Sequence, residues 1–405
     1  MKPIVRAGRM KPVHSDIRGP LFVEAMKRQK QGIDILKLNT GNPATFGFGL
    51  PDSIKNALME HMQDGVGYCD FKGIPQARQA ICDYETSKGI KGITPDDVFI
   101  GNGVSEVVSF ALTPLLNDGD EVLVPSPSYS LWGNSVYLED GKPVFYTCDE
   151  QANWYPDIQD IRSKITDKTK AIVIINPNNP TGVLYPKELL LEIIQIARES
   201  GLLIFADEIY DRLVMDGKQH ISLASLTEDV PVITLNGLSK SHCLCGYRCG
   251  WMVISGPREL TEDYRQGIIQ LTSLRLCANT MAQIVIPAAL DDMETPASMV
   301  RPGGRIYEQR EATVRELEKI DGLSFVKNDA AFYVFPKLDV KKFNITNDKQ
   351  FAHDLLDVTN ILLVPGSGFD WKDPDHFRIV MLPQADILSD AIRRMGTFLD
   401  GYKQK

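Results

Sequence analysis

The segment NGLSK, residues 236–240, ends in a lysine a few positions after an apolar run, and GYRCGW follows at 246–251. A lysine is ordinarily a solvated surface group. Lys240 differs in its company: Ser239 and Ser241 flank it, and Arg248 stands eight residues further on. A serine hydroxyl and a guanidinium converging on one point suit a phosphate, because the guanidinium grips two oxygens at once. An amine beside such a site is placed to form an imine with a phosphorylated aldehyde.

Other strand-end segments add groups to that chemistry. In ADEIY, 206–210, Asp207 is either a helix N-cap or a carboxylate that pairs with a protonated ring nitrogen, and Tyr210 is placed to hydrogen-bond a ring hydroxyl. NPNNPTG, 176–182, has the composition of a turn, with Asn179 the residue directed at the same ring oxygen. In IGNGVSE, 100–106, a strand gives way to a helix through two glycines, so the amides of Val104 and Ser105 and the Ser105 hydroxyl would cradle a phosphate. Such turns are common, and this one does not match the dinucleotide fingerprint. Tyr129, in PSPSYSLW, offers a ring to stack on a planar ligand, although taken singly it reads more readily as a core aromatic.

These residues need a scaffold that brings strand ends together. From about residue 97 to 255 short β-branched runs alternate with helical patterns, which predicts an α/β fold with a mainly parallel seven-stranded sheet covered on both faces. The expected strands are 98–101, 121–124, 143–147, 171–176, 202–206, 232–236 and 250–254. Several are apolar throughout, as doubly covered strands must be. Lys187 to Ser200 has helical spacing, with Gly201 at its end. After the Pro-Gly-Gly break at 302–304, a polar amphipathic helix and the runs LSFV and AFYVF predict a smaller α+β domain. The expected division is an N-terminal segment, 1–49, packing with the small domain; a large domain, 50–295; and the small C-terminal domain, 296–405.

At 405 residues the chain is long enough for two such units, and its net charge of -9 without any block of one sign argues against a nucleic-acid partner. No run of about 18 apolar residues is present to suggest a membrane span, and the N-terminus lacks the apolar core of a signal peptide, so the cytoplasm is the expected compartment. Seven cysteines without repeated spacing predict reduced thiols. Cys243, Cys245 and Cys249 lack a fourth ligand, and no metal is expected.

In their order along the chain, Asn179, Asp207, Tyr210, Lys240 and Arg248 resemble the motifs of the class I and II aminotransferases of the fold-type I pyridoxal-phosphate family, over essentially the full length. The resemblance implies pyridoxal 5′-phosphate on Lys240, with Asp207 on its ring nitrogen. It also implies a homodimer with shared active sites, in which Tyr68, in GYCDFKG, reaches the phosphate of the neighbouring subunit. Arg378, in DHFRIVML, becomes the clamp on the substrate α-carboxylate, and Gly41, in LNTGNP, part of the loop closing over it. SDIRGP, GNPATFGF, SLRLCAN and RPGGRIYEQR are further similar to the bacterial alanine (glutamate:pyruvate) aminotransferases, which implies amino acid and 2-oxo acid substrates, most specifically alanine with 2-oxoglutarate. Where those relatives carry an aromatic before D-I-R-G this chain has Ser15, implying a looser cover over the substrate. A second carboxylate, as on glutamate, would need a second cation, for which Arg18 and Arg275 are candidates; a structural ion pair is the alternative for each. A β-elimination lyase or decarboxylase would share every cofactor residue, since the pocket chooses the bond. A non-catalytic amino-acid sensor would not require Lys240 and Asp207.

Overall fold

A computed structural model describes residues 2–405. All seven apolar runs become strands of one sheet, and a two-residue strand takes an eighth place at its edge. In chain order these are β1 Val98–Asn102, β2 Glu121–Ser126, β3 Lys142–Asp149, β4 Tyr155–Pro156, β5 Thr169–Ile175, β6 Leu203–Asp207, β7 Val232–Gly237 and β8 Cys249–Ser255. Their spatial order is β1-β8-β7-β6-β5-β2-β3-β4. The pairs among β2, β3, β5, β6 and β7 are parallel, whereas β8 runs antiparallel to β1 and β7, and β4 antiparallel to β3. β4 is invisible in the sequence because two residues carry no periodicity.

The apolar strands bury both faces through their two-residue alternation. Along β5, Ile172 and Ile174 join one core cluster, with Ile204 and Ala206 of β6. Ala171, Val173 and Ile175 join the opposite cluster, with Leu203 and Phe205. Helix Lys187–Ser200 closes the first face with Leu190, Ile193, Ile194 and Ala197, and ends at Gly201 in a left-handed conformation (φ 66°).

A separate cluster gathers Leu317, Phe351, Leu355, Phe377, Ile379, Leu388 and Ile392 from the C-terminal elements. The N-terminal segment attaches there: Leu36–Lys37 pairs in parallel with Ile361–Leu362, and Arg28 forms an ion pair with Asp357 at 2.5 Å. Among the described residues no single helix is long and apolar enough to cross a membrane.

Strand direction now decides where the motifs go. The parallel strands β5, β6 and β7 end at one edge of the sheet, where Asn176, Asp207 and Gly237 stand. β8, being antiparallel, begins at that same edge, directly after Arg248. Asn102, the end of β1, lies opposite Cys249 there. Ligands of open α/β sheets bind outside these carboxyl ends.

Candidate active site

Asp207 continues the face of β6 that carries Phe205, and both meet Trp132. The Trp132 indole N–H donates to the Asp207 carboxylate at 3.1 Å, and its ring lies 5.3 Å from that of Phe205. A turn, not a helix, follows Asp207, so the N-cap alternative is replaced by a buried carboxylate with a weak contact to the Ile209 amide at 3.4 Å. No ion pair engages it among the described residues. Burial pushes its carboxyl up to about 6, against the pull of the Trp132 N–H.

Lys240 sits in the one-turn helix Leu238–Ser241 and donates from Nζ to the Gly41 carbonyl at 2.9 Å. Burial opposes its charge, but the surrounding Tyr333, Cys245 and Tyr129 outweigh that and hold the amine above its ordinary range. Gly41 is needed for closeness alone: a Cβ there would collide with the Tyr333 hydroxyl and lie 2.9 Å from the Phe332 ring.

Arg248 and Ser105 meet across the sheet edge, the guanidinium donating to the hydroxyl at 2.9 Å. Two glycines make this possible. A Cβ on Gly103 (φ +83°) would strike the Arg248 guanidinium, and one on Gly250 would strike the Gly103–Val104 backbone. Val104 and Ser105 head the helix Val104–Leu112, so their N–H groups lie outside the helical ladder and face the same direction as an anion site requires. Ser239 is half-buried beside Lys240.

Arg378, on Phe377–Val380, is 1% exposed and has no carboxylate partner among the described residues. Its guanidinium donates to Asn179 Oδ1 at 3.0 Å and to the Asn39 carbonyl, and its Nε finds no acceptor. The rings of Tyr333 and Phe369 each stand 4.6 Å from it. Burial holds this arginine below its ordinary range, against the neighbouring Tyr333. The Tyr210 hydroxyl bonds that of Tyr333 at 2.8 Å, and burial lifts the Tyr210 phenol well above the usual range.

The remaining sequence candidates divide. Tyr129 is 37% exposed, which removes the core-aromatic alternative and leaves a ring face available. Tyr68 is 84% exposed, far out on the surface of this chain. Ser15 and Arg18 are exposed in the N-terminal segment, yet the Asn39 amide donates to the Ile17 carbonyl at 2.9 Å, linking that segment to the acceptor of Arg378. Arg275 is committed elsewhere: it pairs with Glu106 at 2.6 Å and donates to the Phe71 and Ile100 carbonyls, so the structural alternative prevails for it.

Sequence reasoning missed Trp132, Asn39, Phe332 and Tyr333. Trp132 was within reach, three residues after Tyr129 in the same segment. Tyr333, in AFYVF, was masked by its resemblance to an ordinary core strand.

Two buried charges of opposite sign without ion pairs among the described residues, the Lys240 amine and a guanidinium–hydroxyl–helix cradle fit pyridoxal phosphate and an amino acid: Asp207 suits a protonated pyridine, Arg378 a carboxylate. The chain belongs to the class I and II aminotransferases, whose family model matches residues 33–392. It is accordingly a pyridoxal-phosphate enzyme. It is 50% identical over 404 residues to the glutamate-pyruvate aminotransferase AlaA of Haemophilus influenzae, covering 100% of both chains. The crystal structure of an aminotransferase from Escherichia coli matches with a TM-score of 0.98 at 47% identity, covering 100% of both chains. The alanine aminotransferase from Pyrococcus furiosus matches with a TM-score of 0.93 at 41% identity, covering 98% of this chain and 100% of that one.

Proposed function

We propose that this aminotransferase moves an amino group from alanine to 2-oxoglutarate, and in reverse from glutamate to pyruvate, with the cofactor held on Lys240. The relatives named above support the substrate pair. The observation that carries the reading is Arg378, a fully buried cation whose charge no carboxylate among the described residues neutralises.

Pyridoxal phosphate, when bound, supplies an electron sink for the charge left when the α-proton departs. The protein's part is positional. Arg248, Ser105, Ser239 and the amides of Val104 and Ser105 would hold the phosphate, and Tyr129 would stack on the ring. Asp207 would pair with the ring nitrogen, and removing one member of that buried pair costs roughly 3 to 5 kcal/mol. Asn179 has its carbonyl oxygen on Arg378, which leaves its amide N–H groups, together with the Tyr210 hydroxyl, for the ring oxygen.

The substrate carboxylate would take the free edge of Arg378, a charge-assisted contact contributing about 1.5 to 3 kcal/mol. Asn179, Asn39 and the flanking rings already fix that guanidinium, so little order remains to be lost on binding. Lys240 Nζ would be the base that removes the substrate α-proton. Gly41, whose carbonyl accepts from Lys240, would belong to the loop closing over the substrate carboxylate. For glutamate, Arg18, which has no ion pair among the described residues, takes the second carboxylate; Ser15 leaves the cover above it open.

In this reading residues 50–295 form the cofactor domain and 296–405 the small domain, with 1–49 packed on the latter. The working unit is a cytoplasmic homodimer in which the exposed Tyr68 of one copy completes the phosphate site of the other. The test is a panel of amino acids against pyruvate and 2-oxoglutarate with product identification. Equimolar pyruvate and glutamate from alanine and 2-oxoglutarate is the expected result. Pyruvate with ammonia from a thiol-substituted amino acid, without an acceptor, would replace this reading with elimination.

A further inference from the structure

Behind the cofactor edge lies a second concentration of charge that the reaction does not use. Lys88, just past the helix Pro75–Ser87, places its ammonium 2.6 Å from Glu85, 2.8 Å from Glu208 and 3.2 Å from Asp211. The three carboxylates are 0 to 2% exposed. Each is held a second time. Trp251 donates to Glu85 at 3.2 Å; the Ser222 hydroxyl and Leu223 amide donate to Glu208 at 2.8 and 3.1 Å. The Tyr84 hydroxyl and the Asn236 amide donate to Asp211 at 2.6 and 2.7 Å. His220 stands 4.0 Å from Glu208 and 3.1 Å from the Asn176 carbonyl.

The members of this cluster sit beside the site residues in sequence. Glu208 follows Asp207, Asp211 follows Tyr210, Asn176 opens the turn to Asn179, Asn236 opens the turn to Lys240, and Trp251 lies just beyond Arg248. The strand-end motifs of β5, β6, β7 and β8 therefore each have a residue anchored in the cluster, one to four positions from the side chain that faces the site. We propose that Lys88 is a positioning residue of the active site: its ammonium binds three buried carboxylates into one block that fixes the strand ends carrying Asp207, Lys240 and Arg248. This rests on the cofactor assignment of those residues.

The charge within the block points to a held proton. Three buried carboxylates around one ammonium leave excess negative charge, which a desolvated site tolerates poorly. Burial pushes Glu85 up to about 7; Lys88 opposes this, and Glu208 and Asp211 reinforce it. Asp211 is held below the ordinary range, Lys88, His220, Tyr84 and Arg212 overcoming its burial. Arg212 lies 4.3 Å over the Tyr84 ring, and His242, pushed down to about 4 by burial, adds no cation. With Glu85 neutral, Lys88 and Arg212 balance Glu208 and Asp211. Glu208, Asp211 and His220 also bring potential metal-ligating atoms within 4.8 Å of one another. Lys88 already supplies the cation at both carboxylates.

The experiment uses the holoenzyme with Lys88→Met, Lys88→Arg, Asn236→Ala and Glu85→Gln. Cofactor affinity is read by titrating pyridoxal phosphate and following its visible absorbance, with circular dichroism as the check on folding. Lys88→Met is expected to weaken cofactor binding at least tenfold, and Lys88→Arg to recover most of that loss. Asn236→Ala, which keeps every charge, is expected to weaken binding severalfold and decides the matter if Lys88→Met does not fold. Glu85→Gln is expected to keep wild-type cofactor affinity and to flatten the fall in thermal midpoint between pH 5 and 8. Folded Lys88→Met or Asn236→Ala with unchanged affinity, or Glu85→Gln with an unchanged pH slope, overturns the proposal. Borohydride trapping of the cofactor on Lys240 in the unaltered enzyme tests the underlying assignment separately.

Discussion

Arg310 and Arg378 are both fully buried arginines, 0% and 1% exposed, yet their charges end up shifted in opposite directions. Arg310 grips Asp216 with two hydrogen bonds of 2.6 and 2.7 Å and also meets Glu311. Burial works against its charge, but Asp216 outweighs it and raises the arginine above its ordinary range. Arg378 has only carbonyl oxygens and aromatic faces, and falls below. The difference teaches how to tell a fastening from a binding site: a buried charge that the chain leaves unmatched is matched by what binds. Asp207 is the same case with the sign reversed, beside Asp211, which pairs with Lys88.

The comparison is most severely tested at Asp207. Asp207→Ala is expected to lower kcat/KM by roughly 10² to 10³-fold or more, since about 3 to 5 kcal/mol of pairing with the ring nitrogen is lost. Steady-state kinetics at saturating cofactor measure this. The pH dependence sharpens it: with its carboxyl raised to about 6, Asp207 favours the fold while protonated, so in cofactor-free protein its contribution is present near pH 4 and lost as pH rises through 6. Asp207→Asn should remove that part of the slope in thermal melts.

Next, the two arginines should separate stability from binding. Arg378→Met is expected to raise KM for alanine about 10 to 100-fold, corresponding to 1.5 to 3 kcal/mol, with no loss of thermal midpoint. Arg310→Met should do the reverse, costing about 2 to 3 kcal/mol of stability; the one-third exposure of Asp216 keeps this below the full cost of a broken buried pair. If Arg378→Met destabilises as Arg310→Met does, the distinction fails.

Trp132→Phe tests the hydrogen bond beneath Asp207. Losing a donor to a charged group is expected to cost about 1.5 kcal/mol, read as an order of magnitude in cofactor affinity. The smallest effect concerns the outer arginines: Arg18→Ala should raise KM for glutamate a few-fold and leave alanine unchanged. Arg275→Ala should show no such selectivity, because Glu106 already holds its charge.

What the chain determined by itself is local. Apolar runs of four to six residues specify strands buried on both faces, and glycine, serine and asparagine at their ends specify turns, so the groups at Asn179, Asp207, Lys240 and Arg248 were legible as strand-end chemistry. Gly103 and Gly250 had to be glycine for reasons the sequence could only hint at, namely the Arg248 guanidinium and the neighbouring backbone. Tertiary structure alone decided the rest. The antiparallel entry of β8 puts Arg248 at the same edge as Asp207, and Arg378 meets Asn179 across 199 residues. Whether a buried charge has a partner is likewise a property of distant contacts: among the described residues Arg275 and Lys88 have theirs, and Arg378 and Asp207 have no ion pair. No spacing rule could make that distinction, because the energy of a buried charge depends on everything within a few ångströms, and the fold draws those neighbours from the whole chain.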